Sequence, residues 1–122
     1  VLPILMAACS KDPGDGGRAE IRGRLMEQRY SNSTGQPVGS PYPLAGERVY
    51  IIYGDGTYHD DDVRTGHDGR FRFTWLRKGT YNVYAISECR DHNGCTMPIS
   101  LRTSITKRKD VVTLPDITVQ QW

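Results

Sequence analysis

The chain has 122 residues, with 16 Lys and Arg against 14 Asp and Glu, and a formal net charge of +2. A chain of this size makes one domain and buries about two thirds of the surface its unfolded form exposes. A charge this balanced and dispersed lacks the basic stripe that phosphate backbones require, so nucleic acid is excluded as an expected partner.

Residues 1–8, VLPILMAA, are apolar or small and stop at Cys9. The run is too short to span a bilayer, which takes about 20 residues, but it suits the end of a signal-peptide hydrophobic region. Leu5-Met6-Ala7-Ala8-Cys9 resembles a bacterial lipobox, in which small residues precede a cysteine that becomes the lipidated first residue of the mature protein. The resemblance implies a signal-peptide remnant over 1–8, lipid on Cys9 and a flexible tether over 9–18, SKDPGDGGR after the cysteine. It also implies a bacterial cell-envelope protein held to a membrane by its lipid, facing the periplasm or the cell surface. The competing reading, a first strand with Cys9 buried, is opposed by Pro3 and by the lack of alternation.

From Ala19 the pattern alternates: Ala19, Ile21, Gly23 and Leu25 share one face, and Glu20, Arg22 and Arg24 the other. Residues 31–43 are polar and rich in Gly and Pro, which predicts a loop. In ERVYIIYG both faces are apolar, as in a central strand. GDGTYHDDD is a turn-rich excursion, and VRTGHDGRFRFTWL reads as strand, turn at Asp68-Gly69, and strand. There Phe71, Phe73 and Trp75 are expected in the core, alternating with Arg70, Arg72 and Thr74. TYNVYAIS turns Tyr81, Val83 and Ala85 inward; Met97, Ile99 and Leu101 mark another strand; and VVTLPDITVQQW closes with one or two more around Pro115. Seven Tyr against two Phe and two Trp suit half-buried strands whose phenol tips reach water. With no window of helical period, these elements predict an all-β domain over 19–122: a single antiparallel Greek-key β-sandwich of about seven strands.

Lipid on Cys9 leaves Cys89 and Cys95 as a pair around RDHNG, where Asn93-Gly94 can fold the chain back. A disulfide is expected there, pinning a hairpin tip in an oxidising compartment. The alternatives are free thiols, or a metal site of Cys89, His92 and Cys95, which lacks a second cluster to complete four zinc ligands.

The order IRGRL, PLAGERVYI, TGHDGRFRF, LRKGTYNV resembles the carboxypeptidase-regulatory-like and Cna B-type domains, which share a transthyretin-like sandwich. The match covers roughly Ile21 to Ser87, and Val111 to Val119 resembles the closing strand. The resemblance implies a non-catalytic module of an exported protein, of the kind common among small lipoproteins of Bacteroidetes: a spacer, stalk or adhesin part whose partner is an envelope protein or a glycan. The hydroxyisourate hydrolases share this sandwich but end in Tyr-Arg-Gly-Ser, where this sequence reads Thr-Val-Gln-Gln-Trp, and no iron-binding Tyr and His pairing like that of intradiol dioxygenases is visible. The expectation is therefore no catalysis and no cofactor.

Two binding chemistries compete with a purely structural role. Asp55, Asp60, Asp61 and Asp62 form an acidic loop, and oxygen-rich loops take Ca²⁺, although the spacing does not reproduce a D-x-[DN]-x-[DN]-G loop. Tyr30, Tyr42, Tyr58 and Trp122 fall in loops or at the end of the sequence, where aromatic faces stack on sugars; this is the basis of a glycan-binding or small-ligand-binding alternative. Lys107-Arg108-Lys109 reads as a solvated turn.

Overall fold

The computed structural model describes residues 12–90 and 94–122; the opening apolar run, Cys9 and His92 lie outside them. Nine strands are present among the described residues: β1 (Asp15–Tyr30), β2 (Pro37–Pro43), β3 (Arg48–Tyr53), β4 (Asp61–Arg64), β5 (Arg70–Leu76), β6 (Gly79–Glu88), β7 (Thr96–Ile105), β8 (Val111–Thr113) and β9 (Ile117–Gln121). They make two facing sheets, one built on β1 with β2, β5, β8 and β9, the other ordered β4-β3-β6-β7. This is the all-β sandwich that the alternation predicts, with nine strands among the described residues where about seven are expected.

β1 organises the first sheet. At 16 residues it is long enough to carry β5 along its first half and β2 along its second, both antiparallel. The change of partner falls at Leu25, whose N–H donates to Gly69 O at 2.8 Å and whose carbonyl accepts from Leu44 N at 3.0 Å. The opposite edge takes β8 and then β9, both parallel to β1 and separated by Leu114–Asp116. Pro115 has no N–H to give a ladder, so the closing segment breaks there into two strands.

The core lies between the sheets. Ala19, Ile21 and Leu25 of β1 meet Val49 and Ile51 of β3, Phe71 and Phe73 of β5, and Tyr81, Val83 and Ala85 of β6, all buried. Gly23 is fitted to this layer: it pairs with Phe71, and a Cβ on it would lie 2.7 Å from the Phe71 ring. Gly69 sits at φ 79° with its would-be Cβ 2.5 Å from Leu25 O, so that only glycine closes this turn.

Three expectations are corrected. Residues 37–43, expected as loop, form the edge strand β2, where exposed Pro37, Pro41 and Pro43 are tolerated because only one side of the strand must bond. Trp75, expected in the core, is 66% exposed at φ 57°, and Leu76 takes the buried place. The cause is a bulge. Ala19 pairs with Leu76 and Ile21 with Phe73, so three residues of β5 span two of β1 and the side-chain alternation slips by one. Finally, the strands flanking the Asp68-Gly69 turn do not pair with each other; β4 and β5 belong to opposite sheets, so this turn crosses the sandwich.

Candidate functional site

The residues singled out in the sequence separate into an aromatic corner and an acidic loop at opposite ends of the sandwich. The register of β6 shows it: Tyr81, near its start, pairs with Tyr53 beside the acidic loop, whereas Glu88, at its end, accepts from Trp122 N at 2.8 Å.

The aromatic corner forms where β1 and β9 run parallel to their ends. Arg29 is paired with Gln121, which brings the next residues, Tyr30 and Trp122, side by side with ring centroids 4.7 Å apart and planes tilted by 39°. Neither ring is fully covered by protein. The indole N–H donates to Gln120 Oε1 at 2.9 Å, which fixes the ring. Arg90 lies 5.6 Å from the centre of the Trp122 ring and donates to Asn32 O at 2.9 Å. It belongs to the loop closed by the Cys89–Cys95 disulfide, which is present as expected. The crosslink thus holds an arginine against the aromatic pair, in addition to closing a hairpin tip.

Polar groups border the rings. Gln121 Oε1 accepts from Arg29 Nε at 3.1 Å and lies 3.3 Å from the Tyr42 hydroxyl oxygen. With its oxygen committed, Gln121 presents its amide nitrogen, for which no described residue is an acceptor. Tyr42 gives its one proton to Glu27, and that bond, with burial second, holds its phenol above the usual tyrosine range. Arg29, Tyr30, Val38, Gln121 and Trp122 enclose a shallow cavity of about 250 Å³. Of the four aromatics expected to bind ligand, Tyr30, Tyr42 and Trp122 meet here. Tyr58 does not: it stands 83% exposed in the loop before β4 at the other end. Arg29, Arg90 and Gln121 escaped the sequence reading, because only strand register brings them to the rings.

The four aspartates do not converge. Asp61 and Asp62 are successive residues of β4 and so point to opposite faces. Asp62 pairs with Arg48 at 3.2 Å, Asp55 with Arg102 at 2.8 Å, and Asp60 accepts from Tyr53 N at 2.7 Å. Among the described residues no three His, Cys, Asp or Glu side chains are grouped as a cation requires. The acidic loop therefore does not fit Ca²⁺ in this arrangement. Lys107, Arg108 and Lys109 are exposed in the turn before β8, which Asp110 N closes onto Lys107 O at 3.2 Å.

No family model matches the chain, and no curated protein does. Among solved structures, a proposed carbohydrate-binding protein from Pseudomonas aeruginosa is similar over 98% of this chain and 97% of its own, with 14% identity and a TM-score of 0.50. An (S)-allantoin synthase aligns with 85% of this chain and 42% of its own, with 16% identity and a TM-score of 0.43. The first likeness shows a shared β-rich fold spanning essentially both chains.

Proposed function

We propose that this chain is a non-catalytic saccharide-binding module of the bacterial envelope, displayed through lipid on Cys9, with the Tyr30–Trp122 corner as its sugar platform. The observation that carries the reading is the pair of half-open rings 4.7 Å apart beside the uncommitted amide nitrogen of Gln121. Apolar ring surface suits the C–H face of a pyranose, and convergent side-chain donors suit its hydroxyls. The fold shared with a proposed carbohydrate-binding protein agrees with this. The carboxypeptidase-regulatory-like or Cna B-type assignment belongs to the same proposal.

A glycan array followed by calorimetry tests it. Wild type should bind a saccharide, and Trp122→Ala and Tyr30→Ala should each lose about 10-fold or more in affinity while keeping the wild-type circular dichroism. No signal across the array, with or without Ca²⁺, removes the reading. Anchoring is tested separately by labelling cells with a fatty-acid analogue, which should mark wild type and spare Cys9→Ala.

One observation favours a second reading, a protein-interaction or adhesion module. β7 is a ten-residue strand at the edge of its sheet, and an exposed edge can accept a strand from another chain. Crosslinking in intact cells distinguishes it: a defined protein neighbour held through β7 supports it, and the absence of any neighbour removes it.

A further inference from the structure

The outer face of the first sheet carries an arrangement that neither binding reading uses. β1 and β5 pair so that Arg22 lies directly opposite Arg72, and Arg24 directly opposite Arg70. Like charges on directly opposed sheet positions are destabilising, and here two successive same-face rungs both consist of arginine. Arg64, at the end of β4, adds a fifth guanidinium to the same concavity. The concavity has a volume of about 490 Å³, within the roughly 300–1,000 Å³ of ordinary ligand pockets. Thr113, on the other edge of β1, completes the Arg22–Arg72 rung.

Three carboxylates offset part of this charge and leave an excess of arginine. Arg22 pairs with Glu20 at 2.6 Å, Arg24 with Asp116 at 2.7 Å and Arg70 with Asp68 at 3.3 Å. Arg72 has no carboxylate partner among the described residues, and Arg64 donates to a backbone carbonyl, Gly46 O, at 2.9 Å. All of these arginines keep access to solvent: Arg72 offers its whole fork to an incoming oxyanion, and the others offer the N–H groups that Glu20, Asp116, Asp68 and Gly46 O leave free.

We infer that this arginine cleft binds an acidic sugar unit, a carboxylate-bearing or sulfate-bearing residue of a polysaccharide. The opposed arginines supply bidentate donors for the oxyanion, while Asp116 and Thr113 at the same cleft supply acceptors for neighbouring hydroxyls. A ligand carrying both kinds of group satisfies both. An extended polyphosphate has no hydroxyls for those acceptors, and the cleft is a concavity and no continuous basic track. The inference rests on the proposed saccharide-binding reading for its class of ligand, but its residues are separate from the Tyr30–Trp122 corner.

The test titrates the full chain with tetragalacturonate, a sulfated carrageenan tetrasaccharide and neutral cellotetraose, and separately with a single-stranded oligonucleotide and phosphatidylglycerol vesicles. One or both acidic saccharides should bind and cellotetraose should not compete for the cleft; which acidic probe binds identifies carboxylate or sulfate as the recognised group. The variant R22Q/R72Q should lose about 10-fold to 100-fold in affinity for that probe, the cost of removing charged hydrogen bonds. Its melting temperature without ligand should stay level or rise, because the like-charged rung is gone. Trp122→Ala should leave acidic-saccharide binding in the cleft intact, so loss of the corner and loss of the cleft are distinguishable. The inference is overturned if neither acidic saccharide binds, if R22Q/R72Q binds as wild type does, or if the oligonucleotide or the vesicles bind more tightly through these arginines.

Discussion

Tyr81→Phe removes one oxygen from a fully buried side chain and leaves the ring in place. The Tyr81 hydroxyl accepts from Gly14 N at 2.9 Å and donates to Arg77 O at 2.6 Å. Those partners are themselves joined, Arg77 N to Gly14 O at 2.8 Å, and the Arg77 guanidinium reaches Asp12 O at 2.8 Å. One phenol therefore fastens residues 12–14 across the end of the sandwich. Two hydrogen bonds contribute about 1 kcal/mol each, and the buried Gly14 N–H left without an acceptor brings the cost to about 2–3 kcal/mol. No cavity term adds to this, because the ring volume is unchanged. For a chain of this length that cost corresponds to a fall of roughly 8–12 °C in melting temperature. Thermal melts by circular dichroism, with hydrogen exchange at the Gly14 amide, measure both consequences. Tyr53→Phe is the control: no described residue bonds its hydroxyl, so it should cost less than about 0.5 kcal/mol. A Tyr81→Phe loss of under about 2 °C with unchanged Gly14 exchange would show that the hydroxyl does not fasten this segment.

Three other outcomes follow from the geometry. Trp75→Ala and Trp75→Gly both delete the exposed ring, so their difference isolates the backbone at φ 57°; the glycine variant should be the more stable by about 1 kcal/mol in urea melts, and equality would mean the bulge carries no strain. Replacing Cys89 and Cys95 by Ser opens a loop of sequence separation 6 and should cost roughly 2 kcal/mol; it should also alter Trp122 fluorescence by releasing Arg90, and an unchanged spectrum would separate the crosslink from the corner. Burial, reinforced by Asp61, Asp15 and Asp60, pushes the Tyr53 phenol up to about 12. Because this lies above the unfolded value of about 10, its contribution is fully present below about pH 10 and is lost as pH rises toward 12. Tyr53→Phe should flatten that alkaline decline in part, since burial raises Tyr81 as well, and an identical profile would exclude Tyr53 as a source.

Alternation made β1, β5 and β6 legible, because one buried face imposes a period of two on each of them, and β3 was legible as a run apolar on both faces. It failed where a local feature overrode the period. β2 is an edge strand, and its prolines and glycine read as loop when the neighbouring β1 is unknown. Trp75 sits on a bulge whose extra residue has no mark in the hydrophobic pattern. The candidate site was half legible for a related reason. Tyr30 and Trp122 stood out as aromatics near element ends, yet they lie 92 positions apart, and only the parallel register of β1 and β9 joins them. The outward arginines of β1 and β5 were equally visible as separate rows. That Arg22 faces Arg72 is a statement about pairing, which no single strand contains.

β1 also acts as a ruler. Arg22 in the cleft and Arg29 at the aromatic corner lie seven residues apart on one strand, and at about 3.3 Å per residue, less any shortening at the irregularity between Glu27 and Arg29, their backbones are separated by at most about 23 Å. A hydrogen-bonded strand flanked on both edges does not stretch, so this spacing is a fixed property of the protein. If both surfaces take sugar, a short oligosaccharide occupies one or the other. A chain long enough to span both binds the second site at high effective concentration, and affinity should climb abruptly with chain length past that span.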